Sequence, residues 1–188
     1  PRLLSEELGG DIYCVHRLDR AVGGVMVWAR TPKAAAELSR QVQEKALKKA
    51  YFAVCSGIPT PDAGEMRDLL FKDSVKQKSF AVSSSRRGVK EALLDYRVLQ
   101  TDVLNGSPAA LVRVTLRTGR FHQIRCQFSS RGLPLWGDRK YSTLPDDGPI
   151  ALWSHCLHFA HPETGEVLYF EQQPPDCYPW DRFTELDD

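Results

Sequence analysis

Residues 91–116 read EALLDYRVLQTDVLNGSPAALVRVTL. Apolar side chains occupy every second position in two runs, first at Ala92, Leu94, Tyr96 and Val98, then at Ala110, Val112, Val114 and Leu116. Such alternation is typical of half-buried β-strands, and the Asn105-Gly106 pair between the runs is a strong turn signal. The stretch therefore predicts two antiparallel strands that form a hairpin or pair close by.

Two helices are predicted from capping residues and apolar spacing. Thr31-Pro32 predicts a helix start, because Thr is a favoured N-cap and Pro fits the first helical position. The apolar residues that continue at helical spacing are Ala35, Leu38, Val42 and Ala46. A second helix is predicted after Gly119, where the strand pattern ends. Its apolar positions are Phe121, Ile124 and Phe128, and Gly132 is placed as its C-terminal stop.

Further strands and turns complete the prediction. The strands are expected at 23–29, 50–56, 151–159 and 167–170, with a loop over 57–64 and a tight turn over 161–166. Strands outnumber helices, successive strands are joined by turns, and no regular βαβ repeat is present. The sequence therefore predicts an α+β fold with a mixed, largely antiparallel central sheet flanked by helices and loops.

Length and composition fit one ordinary globular domain over residues 1–188. The chain is 42% hydrophobic and 26% charged, which excludes a disordered or collagen-like protein. No apolar run approaches the roughly 18 residues of a membrane span, and no signal-peptide hydrophobic region opens the chain, so we expect neither secretion nor a membrane partner. The five cysteines lie far apart without a Cys-x-x-Cys pair, which favours a reduced, cytoplasmic compartment over a zinc ribbon.

Basic residues are concentrated in two clusters, although the net charge is only +1. The larger cluster consists of Arg113, Arg117, Arg120, Arg125, Arg131, Arg139 and Lys140. The smaller one, Lys45, Lys48 and Lys49, leads directly into Tyr51 and Phe52. Basic clusters that carry aromatic side chains suit the backbone of RNA or DNA. Solvated surface faces are the alternative explanation for such charge runs.

A carboxylate stands in a predicted turn at Asp19. It closes the segment His16-Arg17-Leu18-Asp19, and Gly23-Gly24 follows. Arginines on both sides of Asp19 would keep it ionised. A surface salt bridge is the alternative. A protein kinase catalytic loop also contains His-Arg-Asp, but here Leu18 intervenes, and the chain has no Gly-rich loop and no Asp-Phe-Gly segment.

A second group of candidate residues lies in RTGRFHQIR, residues 117–125. Gly119 allows a sharp turn from strand to helix. Arg120 and His122 are then expected in the first helical turn, where unpaired N–H groups and the helix dipole favour an anion such as phosphate. Arg125 lies on the flank of the buried stripe, from which it could be directed at a carboxylate. The alternative is that these arginines only coat the helix surface.

A metal site is not expected. The cluster that could suggest one is His155, Cys156, His158 and His161. In a strand, however, positions 155 and 158 point to opposite faces of the sheet. No fingerprint of an organic cofactor is evident either.

These segments together resemble the RluA family of RNA pseudouridine synthases, which convert selected uridines in ribosomal or transfer RNA to pseudouridine. The matching segments are His16-Arg17-Leu18-Asp19 with Gly24, Lys49-Ala50-Tyr51, 117–125, 132–134, 137–141 and 161–166. They follow the family's order over roughly residues 11–175. Each segment is a weak signal alone, but several in the right order make a strong one.

The resemblance implies a role for each matching residue. Asp19 would be the essential catalytic aspartate and Arg125 its ion-pair partner. Tyr51 would stack on the target uracil and is expected to help remove its C5 proton. Contacts with RNA are expected at His16, Arg17, Lys49, Arg120 and His122. The family implies a cleft across the middle of the sheet, a structured rRNA or tRNA as partner, a monomer, and no metal or organic cofactor.

The implied reaction breaks the N1–C1′ bond of a flipped-out uridine, turns the uracil over and joins C5 to C1′. The sequence departs from the family at Val22-Gly23-Gly24, where the family often has Thr-Ser-Gly. This chain therefore lacks two hydroxyl groups that could fix the loop. Two other functions therefore stay open. The protein could be a catalytically impaired RNA-binding relative, or a hydrolase acting on a nucleoside or glycoside, although no second carboxylate is evident near Asp19.

Overall fold

The computed structural model describes residues 2–143 and 148–184, so the predicted single domain is covered apart from residues 1, 144–147 and 185–188. Within the described ranges the strands are β1 (Tyr13–Cys14), β2 (Gly23–Gly24), β3 (Trp28–Ala29), β4 (Lys48–Ser56), β5 (Ala63–Asp73), β6 (Lys78–Val82), β7 (Val89–Leu104), β8 (Ser107–Leu116), β9 (Leu152–Ala160) and β10 (Val167–Glu171). The helices are α1 (Arg2–Leu8), α2 (Pro32–Gln43), α3 (Gln123–Ser129) and a 3₁₀ turn at Trp180–Arg182.

One large sheet organises the fold. Its strand order is β10-β9-β4-β8-β7-β5-β6, with every neighbour antiparallel, and β2 adds to β9 in parallel. The predicted α+β class and the mixed, largely antiparallel sheet are therefore confirmed. β4 and β8 lie in the middle of this sheet and supply its most deeply buried residues.

The predicted hairpin is formed by β7 and β8. Their register runs from Leu94 opposite Leu116 to Leu104 opposite Ser107. Asn105 and Gly106 connect them with φ values of 48° and 76°, as a two-residue type I′ turn requires. Both strands extend further than predicted, because β7 begins at Val89 and β8 at Ser107.

Helix α2 begins as its capping residues predict. The Thr31 hydroxyl accepts a hydrogen bond from the Ala34 N–H at 3.1 Å, and Pro32 occupies the first helical position. The helix ends at Gln43, earlier than the predicted apolar stripe to Ala46, because Lys45 adopts a left-handed φ of 61°. The predicted strands at 50–56, 151–159 and 167–170 are confirmed as β4, β9 and β10.

Two predictions about strands were wrong. The segment 23–29 is not one strand: Gly23–Gly24 pairs with β9, whereas Trp28–Ala29 pairs with β1. The chain changes partner because Gly24, with a φ of 113°, redirects the backbone. The loop predicted over 57–64 ends early, since β5 begins at Ala63 and pairs with β6 in a hairpin that the sequence analysis did not predict.

The two faces of the sheet bury different clusters. Tyr51 faces a cluster that includes Ile124 and Phe128 of α3, and Leu18 packs against its edge. The next residue, Phe52, points to the other face, where Trp136 and Trp180 lie. Because side chains alternate along a strand, Tyr51, α3 and the segment around Leu18 share one face. That face carries the candidate site.

Candidate active site

Asp19 lies in a loop formed by residues 16–22, the Asp19 loop, whose backbone is held at several points. The Val22 N–H donates to the Asp19 carbonyl at 2.9 Å and closes a turn. Beyond it, the Val25 N–H donates to the Ser154 carbonyl at 2.8 Å, and the Ser154 hydroxyl donates to the Val25 carbonyl at 3.0 Å. The close approach needs glycine at 24, because a Cβ there would lie 2.1 Å from the Ser154 oxygen. The loop is thus anchored to β9.

Tyr51 projects from β4 beside this anchor. The register of β4 against β9 shifts between Ala50 and Tyr51, which leaves Tyr51 opposite Ser154. Irregularities of this kind often re-aim a side chain next to an active site. Burial raises the pKa of Tyr51 to about 12, opposed by a hydrogen bond with the Ser154 side chain and supported by the charge of Asp19. Tyr51 is therefore a neutral phenol at neutral pH and is only 7% exposed.

Arg125 is placed by a tightly fixed strand-to-helix connection. The Gln123 side chain accepts hydrogen bonds from the Thr118 hydroxyl at 2.8 Å and the Arg120 N–H at 2.9 Å. It also donates to the Leu93 carbonyl of β7 at 3.1 Å. These bonds tie the turn around Gly119 to the sheet, so the first turn of α3 has a fixed position over the Asp19 loop.

The Arg125 guanidinium contacts two carboxylates. Its Nη1 donates to Oδ2 of Asp19 at 3.1 Å. Its Nε and Nη2 donate to the two oxygens of Asp138 at 2.8 and 2.7 Å. The Asp138 side chain is fully buried, whereas that of Asp19 is 23% exposed. The arginine thus leaves Asp19 accessible and uses the buried carboxylate as its anchor.

His122 joins the same group of side chains. It precedes α3 with a left-handed φ of 50°, and its Nε2 lies 3.7 Å from Oδ2 of Asp19. Its ring stacks on Phe121 at 3.9 Å between centroids. The expectation that Arg120 and His122 lie in the first helical turn was wrong, because α3 begins at Gln123. The Arg120 N–H is already bonded to Gln123, so it is not an unpaired donor for phosphate.

Two of the residues expected to contact RNA are more buried than their type indicates. His16 is 8% exposed, and its Nε2 accepts the Val27 N–H at 3.3 Å inside the loop. Burial, with a smaller effect of Lys49, lowers the pKa of His16 to about 4, so its ring is neutral. Burial likewise lowers the pKa of Lys49 to about 8. His16 therefore supports the loop backbone rather than presenting a charge to solvent.

The other basic candidates are accessible. Arg17 and its neighbour Arg20 are exposed and make no hydrogen bond or ion pair with the described residues. Arg120 is half-buried, and its Nε donates to the Glu91 carbonyl at 2.8 Å. That bond orients the guanidinium and leaves its terminal nitrogens without an ion-pair partner in the described chain. These arginines surround the Asp19 loop and the turn before α3.

A cavity of about 350 Å³ opens beside Arg125. Ala21 of the Asp19 loop and Asp138 form part of its wall, and Arg139 and Lys140 give it a positive rim. Its volume lies in the range of small-ligand sites.

Among residues 2–143 and 148–184, no group of three His, Cys, Asp or Glu side chains could hold a metal ion. Over the same residues, no helix has the length and apolar character to cross a membrane.

The family model for RNA pseudouridylate synthase matches residues 2–130. This match covers more than half of the chain and contains Asp19, Tyr51 and Arg125. The chain belongs to the RNA pseudouridylate synthase family. The RluA-type resemblance read from the sequence is thereby confirmed.

Curated relatives and a solved structure agree with this family. The chain is 36% identical to an uncharacterized RNA pseudouridine synthase of Aquifex aeolicus, over 87% of this chain and 54% of the relative. It is 34% identical to ribosomal large subunit pseudouridine synthase D of Nitrosomonas europaea, over 86% of this chain and 48% of the relative. The chain thus spans about half the length of these relatives. The human RNA pseudouridylate synthase domain containing 1 shares the fold, with a TM-score of 0.80, 24% identity, and coverage of 94% of this chain and 74% of that one.

The departure from the family's Thr-Ser-Gly segment has a structural explanation. A Cβ at Gly23 would lie 2.3 Å from the Trp153 ring, so a side chain at position 23 and this tryptophan exclude each other. Trp153 is itself held by a hydrogen bond from its Nε1 to the Gln172 carbonyl at 2.8 Å. The segment is held without these hydroxyls by two bonds to Ser154, one from the Val25 N–H to its carbonyl and one from its hydroxyl to the Val25 carbonyl.

Sequence reasoning missed Asp138 and Tyr141 in this pseudouridylate synthase site. Asp138 is the only acidic residue among the basic ones between 111 and 145, which is a signal that could have been used. The Tyr141 hydroxyl lies 3.1 Å from Nδ1 of His122, and its ring lies beneath the Arg125 guanidinium at 5.2 Å. Both residues come from the segment 137–141, whose resemblance to the family implies no role for either.

Proposed function

We propose that this chain isomerises uridine to pseudouridine in RNA, with Asp19 as its catalytic aspartate. The observation that supports this most strongly is the contact between Arg125 and Asp19 beside Tyr51, on one face of the sheet. The N1–C1′ bond breaks and a C5–C1′ bond forms. The C5 proton goes to solvent and N1 gains one, so substrate and product are isomers.

One ionised carboxylate is what this reaction needs. Attack on the ribose, attack on the base, or removal of the C2′ proton each requires an ionised oxygen that faces the nucleotide. Arg125 supplies a positive partner for Asp19 without covering it. Because Asp138 binds the other two nitrogens of the guanidinium, Arg125 stays in place while Asp19 reacts.

Tyr51 provides the aromatic surface for the target base. Removing a uridine from its stack costs a few kcal/mol, and stacking on an aromatic ring returns about 1–3 kcal/mol. Because Tyr51 is only 7% exposed, stacking of the base on its ring requires the side chains that cover the ring to move outward. Burial raises the pKa of Tyr51 to about 12, so the phenol stays neutral, and a neutral phenol oxygen is too weakly basic to take the C5 proton; Tyr51 contributes to that step by orienting the base while the proton goes to solvent.

The accessible arginines suit the phosphates on either side of a flipped nucleotide. Arg17 lies in the Asp19 loop and Arg120 before α3, and both present guanidinium nitrogens to solvent. Lys49 contributes a charge only below its lowered pKa of about 8. His122 faces Asp19 rather than open solvent, and His16 is buried, so both act on the Asp19 loop instead of on phosphate.

Ribosomal RNA is the substrate class we favour. Several of the relatives carry the name ribosomal large subunit pseudouridine synthase D. A transfer RNA substrate is the second possibility within the family. An rRNA substrate places the enzyme with the ribosomes, which agrees with the cytoplasmic location expected from the sequence. We propose that the domain acts as a monomer and without metal or organic cofactor.

The competing functions make different demands on the site. A two-carboxylate glycosidase needs a second acidic group at the scissile bond. Asp138 does not serve, because it is fully buried and both of its oxygens bind Arg125. An impaired RNA-binding relative is favoured by the lost hydroxyls at 22 and 23, but the bonds between Val25 and Ser154 keep the loop anchored.

Incubation of the purified chain with a large-subunit rRNA transcript, and separately with unmodified tRNA, separates these functions. Digestion to nucleosides followed by chromatography and mass spectrometry should reveal pseudouridine at the expense of uridine. Free uracil would identify a hydrolase instead. RNA binding without any new nucleoside would identify the impaired relative. The RNA strand should stay intact in the predicted case.

A further inference from the structure

A chain of polar contacts, of which the first two are hydrogen bonds, leads from the sheet to the candidate catalytic aspartate. The Ser79 N–H of β6 donates to the Tyr141 hydroxyl oxygen at 2.7 Å. The same oxygen lies 3.1 Å from Nδ1 of His122, and Nε2 of His122 lies 3.7 Å from Oδ2 of Asp19. Four residues that are far apart in sequence are thus arranged in one line.

The direction of this chain can be derived from its donors. The Ser79 N–H can only donate, so the Tyr141 oxygen accepts at that end. Within the described residues, His122 is the remaining hydrogen-bond partner of the Tyr141 hydroxyl. With Nδ1 of His122 as the acceptor, the hydroxyl proton has a partner among the described residues, whereas with Nδ1 as the donor it has none. A neutral imidazole that accepts at Nδ1 carries its proton at Nε2, the nitrogen that faces Asp19.

The surroundings of His122 keep the ring neutral and in place. Burial lowers its pKa to about 4; Asp19 and Asp138 oppose this shift, whereas Arg125 and Lys140 add to it. The ring stacks on Phe121 with an angle of 19° between the planes. A left-handed φ of 50° at a residue other than glycine costs energy and is often retained where function requires it.

Both contacts with Asp19 fall on the same carboxylate oxygen. Arg125 donates to Oδ2 at 3.1 Å, and the Nε2 of His122 points to that same atom. We propose that His122 is a positioning residue whose neutral Nε2–H, fixed by Tyr141, holds Oδ2 of Asp19 together with Arg125 and so leaves Oδ1 as the reactive oxygen. This inference rests on the proposed function for its role in turnover. At 3.7 Å the two atoms are outside hydrogen-bond distance in the free protein, so the proposal requires this distance to shorten in the complex with RNA.

The tautomer can be measured without any RNA. In the protein labelled with ¹⁵N-histidine, two-dimensional NMR at pH 7 should report Nε2 of His122 as protonated and Nδ1 as unprotonated. The signal is assigned by its loss in His122→Asn. Tyr141→Phe should give a mixture of tautomers, because the donor to Nδ1 is gone. A protonated Nδ1 in the native chain, or an unchanged tautomer in Tyr141→Phe, would overturn the proposal even if the RNA activity is as proposed.

Turnover distinguishes positioning from a merely structural role. Asn tolerates the left-handed backbone, and its amide reaches the position of Nδ1 but not that of Nε2. His122→Asn should therefore fold and bind RNA with an unchanged Kd, yet lose about 100-fold in kcat. His122→Gln reaches the Nε2 position and should recover most of that loss. Equal kcat values for the two variants refute the positioning role, whereas absence of activity in the native chain refutes only the proposed function.

Discussion

Asp138 binds Arg125 through two hydrogen bonds, of 2.7 and 2.8 Å, and leaves the third nitrogen of the guanidinium directed at Asp19. Paired, nearly parallel bonds of this kind fix the plane of a guanidinium. The arginine is therefore positioned by a fully buried carboxylate. Stability and turnover should respond differently when members of this group are replaced.

Arg125→Met should abolish turnover and destabilise the fold. It leaves Asp138 as a buried charge without its partner, which typically costs about 3–5 kcal/mol. Urea unfolding measures this loss. The double variant Arg125→Met/Asp138→Asn removes the stranded charge and keeps an acceptor for the Lys140 N–H, so it should recover most of the free energy of unfolding and none of the turnover. Recovery of both, or of neither, would contradict the separate roles given to the two residues.

Gly23→Ser restores a hydroxyl that the family often has, but it should destabilise this chain. Its Cβ would overlap the Trp153 ring, and overpacking of this kind costs about 1–3 kcal/mol. In the Trp153→Ala background the same change should be nearly neutral. Thermal unfolding of the four proteins in this double-mutant cycle gives the coupling. Additive effects would show that Trp153 does not determine the residue at position 23.

RNA affinity should fall as the pH rises through about 8. Burial lowers the pKa of Lys49 to about 8, so the ammonium group is lost between about pH 7 and pH 9. Loss of one charged hydrogen bond, about 1.5 kcal/mol, weakens binding roughly tenfold. The Lys49→Arg variant should bind RNA equally well at about pH 7 and pH 9, because arginine stays charged. Lys48→Ala, a change at the exposed neighbour, is the matched control and should keep the native pH dependence.

Acid should destabilise the protein through His16. The pKa of His16 is lowered from 6.5 to about 4 by burial, so the unfolded chain binds more protons between these values. Stability must then decrease as the pH falls, by about 2 kcal/mol from pH 7 to pH 5 for this residue. The pKa of His122 is also lowered, so this residue adds to the loss of stability as the pH falls. Urea titrations of His16→Gln should show a smaller pH dependence than the native chain; an identical slope would refute this account of His16.

The parts of the fold that follow from local pattern could be predicted from the sequence. The hairpin of β7 and β8 carries strict alternation and a turn dipeptide, and α2 carries its cap at Thr31. The hairpin of β5 and β6 has no comparable signal, since the burial along β5 does not alternate regularly. The helix start at Gln123 depends on side-chain bonds to Leu93 and Thr118, which no local propensity encodes.

The sequence indicates which residue types form the site and in what order they occur along the chain. It does not indicate how their side chains are placed relative to one another. Asp19 and Arg125 are 106 residues apart, and from the sequence only the family resemblance predicts that they meet. Asp138 was missed because its role depends on a tertiary contact with Arg125. The family match and the basic side chains of His16 and Lys49 predict RNA contacts, but residue type does not predict the burial of either side chain.

The central claim is that Asp19, held by Arg125, carries out the isomerisation of uridine. RNA labelled with tritium at C5 of uridine loses its label to water when C5 becomes bonded to C1′. The native chain and the control Asp11→Asn, an exposed aspartate, should release tritium at the same rate. Asp19→Asn should bind the same RNA and release label more than about 1,000-fold more slowly. Release by Asp19→Asn at the native rate would contradict the account.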